Sequence, residues 1–273
     1  MNIRIGAGII LAILIVIFLL RLNHIEYFTQ AADSNPLPEA EYSDKTNMTG
    51  EDDDPRDIPW IASWTPADRQ ARRGHNCLKT YVVDGPNATT ILTTPKSCED
   101  GMPHTRAGNR IIIPDSTLMV DRHRIIQHEL IHISQRRHTD SWCKFYKNAW
   151  SFTLQGNPPA DLPSSLKYSR RSNPDTWCPK MGGPWSCWRE RWWPVPIYDD
   201  MKNPNLRKAH TVWWDSHTQR ILSEPPDEWT AFFGHPSQDE HPHEISASLI
   251  VADCTSSEAG RRIMNWWKSC PYQ

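Results

Sequence analysis

Three residues, His128, Glu129 and His132, form the pattern His-Glu-x-x-His, which is the part of this sequence best suited to chemistry. On an α-helix, residues four positions apart lie on the same face, so both imidazoles can reach a single metal ion. Zinc suits such a pair, and Glu129 lies beside the first histidine, where it can act as general base toward a water activated by the ion. The pattern therefore predicts a zinc-dependent hydrolytic site.

A helix is predicted to carry this motif, starting between Asp115 and Val120 and ending near Arg137. Apolar residues recur along it at close to helical spacing: Ile125, Ile126, Leu130 and Ile133. Three strands are predicted before the helix, and they span residues 78–83, 89–93 and 109–113. The site is thus expected to lie where a small sheet meets one long helix.

At this motif the chain resembles the zincin superfamily of zinc metallopeptidases. The match covers the five residues from His128 to His132 and their helix. In zincins that helix packs under a small mixed sheet, whose edge strand binds the peptide substrate in extended form. The resemblance implies a peptide or protein substrate and makes Arg110, Ile111, Ile112 and Ile113 the candidate edge strand. Residues 104–114 and 128–136 also resemble, more loosely, small zincin-like proteins of large DNA viruses.

A zinc site of this kind needs a third protein ligand, and two candidates are open. Glu244 follows Pro242 and opens a predicted helix that ends at Ala252, much as gluzincins place a glutamate on a downstream helix. His138 stands where metzincins place their third histidine, but Gln135 replaces the glycine at which that helix turns. Because Gln135 leaves the helix free to continue, we favour Glu244.

Further residues are candidates for supporting roles around the site. Asp253 or Ser248 is expected to orient a ligand histidine from the helix of Glu244. His241 and His243 lie close enough to Glu244 in sequence to remain alternatives to it as ligands. Candidates for stabilising the oxyanion are Tyr198, His210, His217, His235 and Arg262. Residues 173–177 are predicted to form a turn, which either is purely structural or lines the cleft.

Residues 5–20 form an unbroken apolar run between Arg4 and Arg21, which predicts one N-terminal transmembrane helix within residues 1–21. A cleaved signal peptide is the alternative, but no small-x-small cleavage pattern follows the run. Residues 22–57 are polar and acidic, as in a flexible tether, and residues 58–273 are expected to form the catalytic domain. The positive-inside rule places the N-terminus in the cytoplasm and the domain on the extracytoplasmic side: lumenal, extracellular or on a virion surface.

The composition agrees with an extracytoplasmic protein that binds no nucleic acid. All seven cysteines lie beyond the apolar run and none form a Cys-x-x-Cys pair, which favours disulfides, three with one thiol left over. The formal net charge is only −2, so no nucleic-acid partner is expected.

The sequence predicts an α+β fold, in which a small mixed sheet lies over the helix of the motif. The 14 tryptophans and 23 prolines point to a loop-rich insertion from Cys143 to Trp229, with short helices at most. Helices are expected again at 244–252 and 257–267. The tryptophans are expected either to brace the core or to line an aromatic groove.

Together these features predict a membrane-anchored zinc metalloendopeptidase. The alternative is a zincin-like domain that has become a catalytically silent binding or structural protein on a membrane or virion surface. A zinc hydrolase acting on a non-peptide amide is a third interpretation, because zinc and a glutamate serve that reaction equally well.

Overall fold

The computed structural model describes residues 49–50, 55–78, 81–236 and 238–270, which form an α+β fold. Its strands are β1 (Thr49–Gly50), β2 (Asn76–Cys77), β3 (Tyr81–Gly85), β4 (Thr89–Thr94), β5 (His104–Arg106), β6 (Arg110–Pro114), β7 (Phe152–Gln155), β8 (Trp185–Trp188), β9 (Trp192–Tyr198), β10 (Ala209–Asp215) and β11 (Arg220–Leu222). Its α-helices are α1 (Ile58–Ala62), α2 (Pro66–Ala71), α3 (Met119–Arg137), α4 (Thr139–Phe145), α5 (Ser164–Ser169), α6 (Asp227–Phe233), α7 (Pro242–Val251) and α8 (Glu258–Lys268).

The predicted membrane anchor at residues 5–20 lies outside the described residues, as does most of the predicted tether. Among the helices that the structure describes, none combines the length and the apolar character needed to cross a membrane.

A four-stranded mixed sheet forms the first layer, in the order β3-β4-β6-β5. β4 and β6 run parallel, and β3 and β5 pair antiparallel with their neighbours. The three strands predicted from sequence are all present, although β3 begins at Tyr81 rather than at residue 78. The predicted mixed sheet next to the helix of the motif is therefore confirmed.

Helix α3 begins at Met119 and ends at Arg137, as predicted, and it follows β6 after a four-residue connection. One face of α3 packs on the mixed sheet through an apolar cluster: Ile91, Ile111, Ile113, Ile126, Leu130 and Ile133. Another face presents Ile131 to the aromatic core. Because α3 is packed on two sides, the backbone of the motif is held rigidly.

A second sheet has five antiparallel strands in the order β11-β10-β9-β8-β7. It occupies the region predicted to be loop-rich, so that part of the prediction is wrong. Pro194 and Pro196 lie within β9, and prolines usually argue against a strand interior. Here β9 pairs with β10 along its length but with β8 only at Trp188–Trp192, so the prolines lie where one side of β9 lacks a ladder.

An aromatic core packs between this second sheet and the C-terminal helices. Its largest fully buried members are Trp142, Trp150, Trp188, Trp213 and Trp229. Trp229 meets Trp213 edge-to-face with ring centroids 4.3 Å apart, an arrangement that adds to the energy of burial. These tryptophans therefore brace the core, in agreement with the first of their two predicted roles.

The described structure includes residues before the predicted domain boundary at residue 58. β1 pairs in parallel with β2, and Asp57 is buried. The carboxylate of Asp57 accepts a hydrogen bond from Arg110 Nη2 at 2.6 Å. Asp57, which the sequence assigned to the tether, therefore belongs to the fold.

Three disulfides were predicted, but the described residues contain one, which joins Cys77 to Cys98. The other cysteines are free thiols: Cys143, Cys178, Cys187, Cys254 and Cys270.

Candidate metal centre

Two helices bring the principal candidate residues together. α3 supplies His128 and His132 from successive turns. α7 supplies Glu244 from its first turn, where Pro242 occupies the start of the helix and the side chain of His241 caps it. The predicted start signal of this helix is therefore confirmed.

The ligand atoms of His128, His132 and Glu244 lie within 4.8 Å of one another. Glu244 Oε2 is 3.3 Å from His128 Nε2 and 3.5 Å from His132 Nε2. Two donors bound to one tetrahedral zinc ion at about 2.05 Å lie roughly 3.3 Å apart. Two imidazole nitrogens and one carboxylate oxygen at this spacing fit a zinc ion and leave a position for water.

Two buried side-chain atoms at this centre lack a hydrogen bond to any described residue, although one of them, His132 Nε2, lies 3.5 Å from Glu244 Oε2. His132 Nε2 and Glu129 Oε2 have no hydrogen-bond partner among the described residues. Buried polar atoms in folded proteins are nearly always paired, because leaving one unpaired costs about 1–3 kcal/mol. A metal ion or water molecule bound at this centre would supply the missing partner of each atom.

The electrostatics of the centre favour a cation. Burial would lower the pKa of His132, but attraction to Glu244 and Asp175 outweighs burial and raises that pKa to about 10. Burial would raise the pKa of Glu244, yet His132 and His128 hold it well below its usual value. Burial and the neighbouring carboxylate of Asp175 raise the pKa of Glu129. Positive charge at His132 Nε2 is thus strongly stabilised, whether a proton or a metal ion provides it.

His132 is oriented by a residue that the sequence analysis did not assign to this role. Gln135 Oε1 lies 2.8 Å from His132 Nδ1, which directs Nε2 toward the centre. Gln135 Nε2 in turn lies 3.0 Å from both the carbonyl oxygen of His243 and Ser246 Oγ on α7. His132 Nδ1 is therefore held by Gln135 rather than by the predicted Asp253 or Ser248. The spacing of three residues along one helix was a signal for this contact.

His138 does not belong to the group of ligand atoms. Its backbone N–H donates to Ser134 O at 2.9 Å, directly after the last residue of α3. As the replacement of glycine by Gln135 suggested, the helix continues past that position and does not turn back toward His132. Of the two predicted third ligands, the structure brings only Glu244 to the histidines.

The predicted edge strand is an interior strand, so this assignment is wrong. Arg110, Ile111, Ile112 and Ile113 lie in β6, which is hydrogen-bonded to β4 on one side and to β5 on the other. All four residues are buried. The edge strand on this side of the sheet is β5.

The outer edge of β5 is occupied by the protein's own side chains. Thr105 donates its backbone N–H to Asp175 Oδ1 at 2.8 Å and its hydroxyl to the same oxygen. Arg136 Nη2 donates to the carbonyl oxygen of Thr105 at 3.3 Å. In this conformation a peptide therefore cannot pair with Thr105 by strand addition.

The five candidate oxyanion donors make no contact with His128, His132 or Glu244 in the part of the chain that is described. Tyr198 donates to Asp68, Arg262 pairs with Glu258, and His210 pairs with Asp199. His217 and His235 are exposed. Residues 173–177 do form the predicted turn, and they also reach the centre, since Asn173 Nδ2 donates to Glu244 Oε1 at 2.7 Å.

Comparison with protein-family models, with curated proteins and with solved structures found no match to this chain.

Proposed function

We propose that this protein is a zinc-dependent metallopeptidase of zincin type, in which His128, His132 and Glu244 bind the ion. The observation that carries the proposal is the convergence of three donor atoms at the spacing of a zinc site, with Glu129 Oε2 buried and unpaired among the described residues beside them. A zinc ion held there supplies a Lewis acid that polarises a carbonyl and acidifies water.

Glu129 is the general base in this proposal. Its carboxylate takes a proton from the water as the oxygen of that water adds to the carbonyl carbon and forms the new carbon–oxygen bond. The same proton is then delivered to the amide nitrogen, so that the carbon–nitrogen bond breaks and the amine leaves. A raised pKa suits both halves of this cycle, because the same group must accept a proton and then release it.

The peptide approaches from the side of His128. The side chain of His128 is 18 % exposed, whereas those of His132 and Glu244 are almost completely buried. Because Asp175 and Arg136 cover the edge of β5, we infer that substrates either bind without strand addition or displace that contact.

The protein acts on the extracytoplasmic side of a membrane, anchored by residues 5–20. The disulfide between Cys77 and Cys98 supports this placement, because structural disulfides persist in oxidising compartments.

A first experiment measures bound zinc by elemental analysis of the full-length protein in detergent. We expect one zinc per chain in the wild type and in His138→Ala, and none in His132→Ala or Glu244→Ala. His138→Ala is the matched control, since it removes a nearby imidazole outside the group of ligand atoms. Wild-type protein that holds no zinc after refolding with the metal would reject the proposal.

A second experiment separates an enzyme from a silent binding module. An unfolded protein and a set of N-acyl amino acids are offered to the wild type and to Glu129→Gln, with zinc content measured in both. We expect the wild type to cleave the unfolded protein, and Glu129→Gln to retain zinc but lose cleavage. Zinc without any cleavage supports the silent module, and turnover of the N-acyl amino acids alone supports an amide hydrolase.

A further inference from the structure

We propose that Asn173 is a positioning residue that makes Glu244 bind zinc through one oxygen only, and this inference rests on the proposed function. Asn173 Nδ2 lies 2.7 Å from Glu244 Oε1 and 2.7 Å from Glu240 Oε1. The other oxygen of Glu240 accepts a hydrogen bond from Arg171 Nη2 at 2.6 Å. The side chains of Arg171, Glu240 and Asn173 thus form a continuous series of hydrogen bonds that ends at a fourth side chain, Glu244.

The orientation of the Asn173 amide follows from its surroundings. Its oxygen accepts from the backbone N–H of Asp175 at 3.0 Å, and its nitrogen faces two carboxylates. The opposite orientation would place the amide oxygen against both carboxylates and the amide nitrogen against an N–H. Both amide hydrogens are therefore committed, one to Glu240 and one to Glu244.

This contact divides the two oxygens of Glu244 between different tasks. Oε1 is held by Asn173, while Oε2 faces His128 Nε2 and His132 Nε2 at 3.3 and 3.5 Å. A carboxylate can bind a metal ion through one oxygen or through both. Engaging Oε1 leaves Oε2 alone to meet the metal ion and preserves a position for water.

The segment that carries Arg171 and Asn173 is hydrogen-bonded both to the second sheet and to α7. Arg171 donates its backbone N–H to the carbonyl oxygen of Pro196 on β9 at 2.8 Å. The carbonyl oxygen of Asp175 lies 3.0 Å from His243 Nδ1 on α7. Residues 171–175 therefore bridge the second sheet and α7, and they hold Glu244 from a direction that neither α3 nor α7 supplies.

A purely structural role for Asn173 is the competing explanation, because its side chain caps the turn at Pro174–Thr176. Asn173→Asp and Asn173→Ser separate the two roles. Both replacements keep a side-chain oxygen that can accept from the N–H of Asp175, but neither can donate to two carboxylates. Asn205 is the matched control, since its side chain accepts from the N–H of Arg207 at 2.9 Å in the same kind of turn.

The test measures zinc affinity by competition with a chelator and the visible spectrum of the cobalt-substituted full-length protein. We expect Asn173→Asp and Asn173→Ser to weaken zinc binding by about 10- to 100-fold and to reduce cobalt absorption, as Glu244 shifts to two-oxygen coordination. Glu240→Ala should shift both in the same direction by less, and Asn205→Ser should change neither. Thermal unfolding of each zinc-free variant shows whether it is folded.

Zinc affinity within twofold of wild type in both Asn173 variants, with an unchanged cobalt spectrum, would overturn the positioning role and leave the proposed peptidase standing. If both Asn173 variants fail to fold, the decision passes to Glu240→Ala, whose unchanged spectrum and affinity would also overturn it. Failure of the wild type to bind either metal would remove the proposed function and this inference together.

Discussion

Two clusters of buried charge differ in how completely their polar atoms are paired. In the first, Arg72 lies between Asp68 and Glu99, and all three side chains are almost fully buried. Arg72 Nε donates to Glu99 at 2.9 Å and Nη1 donates to Asp68 at 3.1 Å. Ser172 and Tyr198 complete the hydrogen bonds of Asp68. Every charge there has an opposite charge within hydrogen-bond distance.

The second cluster is the candidate metal centre. Its side chains are buried to a similar degree as those of the first cluster, but their polar atoms are less completely hydrogen-bonded. Glu129 Oε2 and His132 Nε2 lack hydrogen bonds within the described part of the chain, and three carboxylates surround one imidazole. Removing one partner of a buried ion pair leaves the other charge uncompensated, so the fold depends on the first cluster being complete. Under the proposed function, a bound cation would complete the second cluster. Incomplete hydrogen bonding, rather than burial or charge, thus distinguishes the candidate metal centre from the cluster around Arg72.

The largest change in stability is expected from removing the cation of the first cluster, Arg72. Arg72→Met would leave Asp68 and Glu99 buried without their cation, and we expect a loss of about 3–5 kcal/mol in the free energy of unfolding. Chemical denaturation of the zinc-free protein measures it. Arg261→Met is the control, because Arg261 and its partner Glu258 are exposed, so its loss should stay below about 1 kcal/mol. Similar losses in both variants would contradict the structural role of the buried cluster.

The first cluster also predicts how stability depends on pH. Burial would raise the pKa of Glu99, but Arg72 and Arg106 outweigh it and lower that pKa from 4.5 to about 2. The stabilisation by Glu99 is therefore complete above about pH 5 and is lost as pH falls toward 2. One pKa unit corresponds to about 1.4 kcal/mol, so the loss is about 3 kcal/mol.

Denaturation of the wild type and of Glu99→Gln between pH 6 and pH 2 checks this prediction. The difference in unfolding free energy between the two proteins should be constant above about pH 5 and should shrink as pH falls from there toward 2. A difference that stays constant with pH would show that Glu99 is not the group responsible.

The sequence predicted the elements of the fold better than their arrangement. α3 and α7 were predicted near their observed bounds because apolar spacing and the start signal at Pro242 are local features. The order of strands in a sheet is not local, and the run Ile111–Ile113 was assigned to the wrong position. Three consecutive buried isoleucines without polar alternation are typical of an interior strand, so a usable signal was present.

The centre was predictable only as far as its residues follow local rules. His128 and His132 are four residues apart on one helix, and Glu244 opens another. The contact of Asn173 with Glu244 spans 71 residues, and no pattern in a single sequence reports such a hydrogen bond. The second sheet was missed for a related reason, because Pro194 is tolerated in β9 only where one side of that strand lacks a ladder, and strand pairing is not a local feature.

Zinc should raise the free energy of unfolding by binding at the candidate metal centre alone. At free zinc about 100 times the dissociation constant, we expect a gain of about 2.7 kcal/mol in unfolding free energy, and a chelator should reverse it. Glu99→Gln should keep this gain, since it leaves the centre intact, whereas Glu244→Ala should lose it. Thermal unfolding with and without zinc measures each response. A zinc gain that persists in Glu244→Ala would place the ion elsewhere.

The smallest change in stability is expected for Glu129→Gln. It can be compared directly with Glu99→Gln, because the same replacement of glutamate by glutamine is then made once in each cluster. In Glu99→Gln the amide replaces a carboxylate that is bonded to Arg72, so stability at pH 7 should fall by about 3 kcal/mol. In Glu129→Gln the amide replaces a carboxyl group whose Oε2 has no hydrogen bond to any described residue. Folding gains nothing from the charge of Glu129, since burial and Asp175 both disfavour it.

We therefore expect the zinc-free Glu129→Gln protein to be as stable as the wild type or more stable by up to about 1 kcal/mol. Residues retained for chemistry often lower stability, whereas residues retained for structure raise it. Chemical denaturation of the two variants beside the wild type decides between these cases. A loss above about 1 kcal/mol in Glu129→Gln would mean that Glu129 is paired in solution and that both clusters are structural.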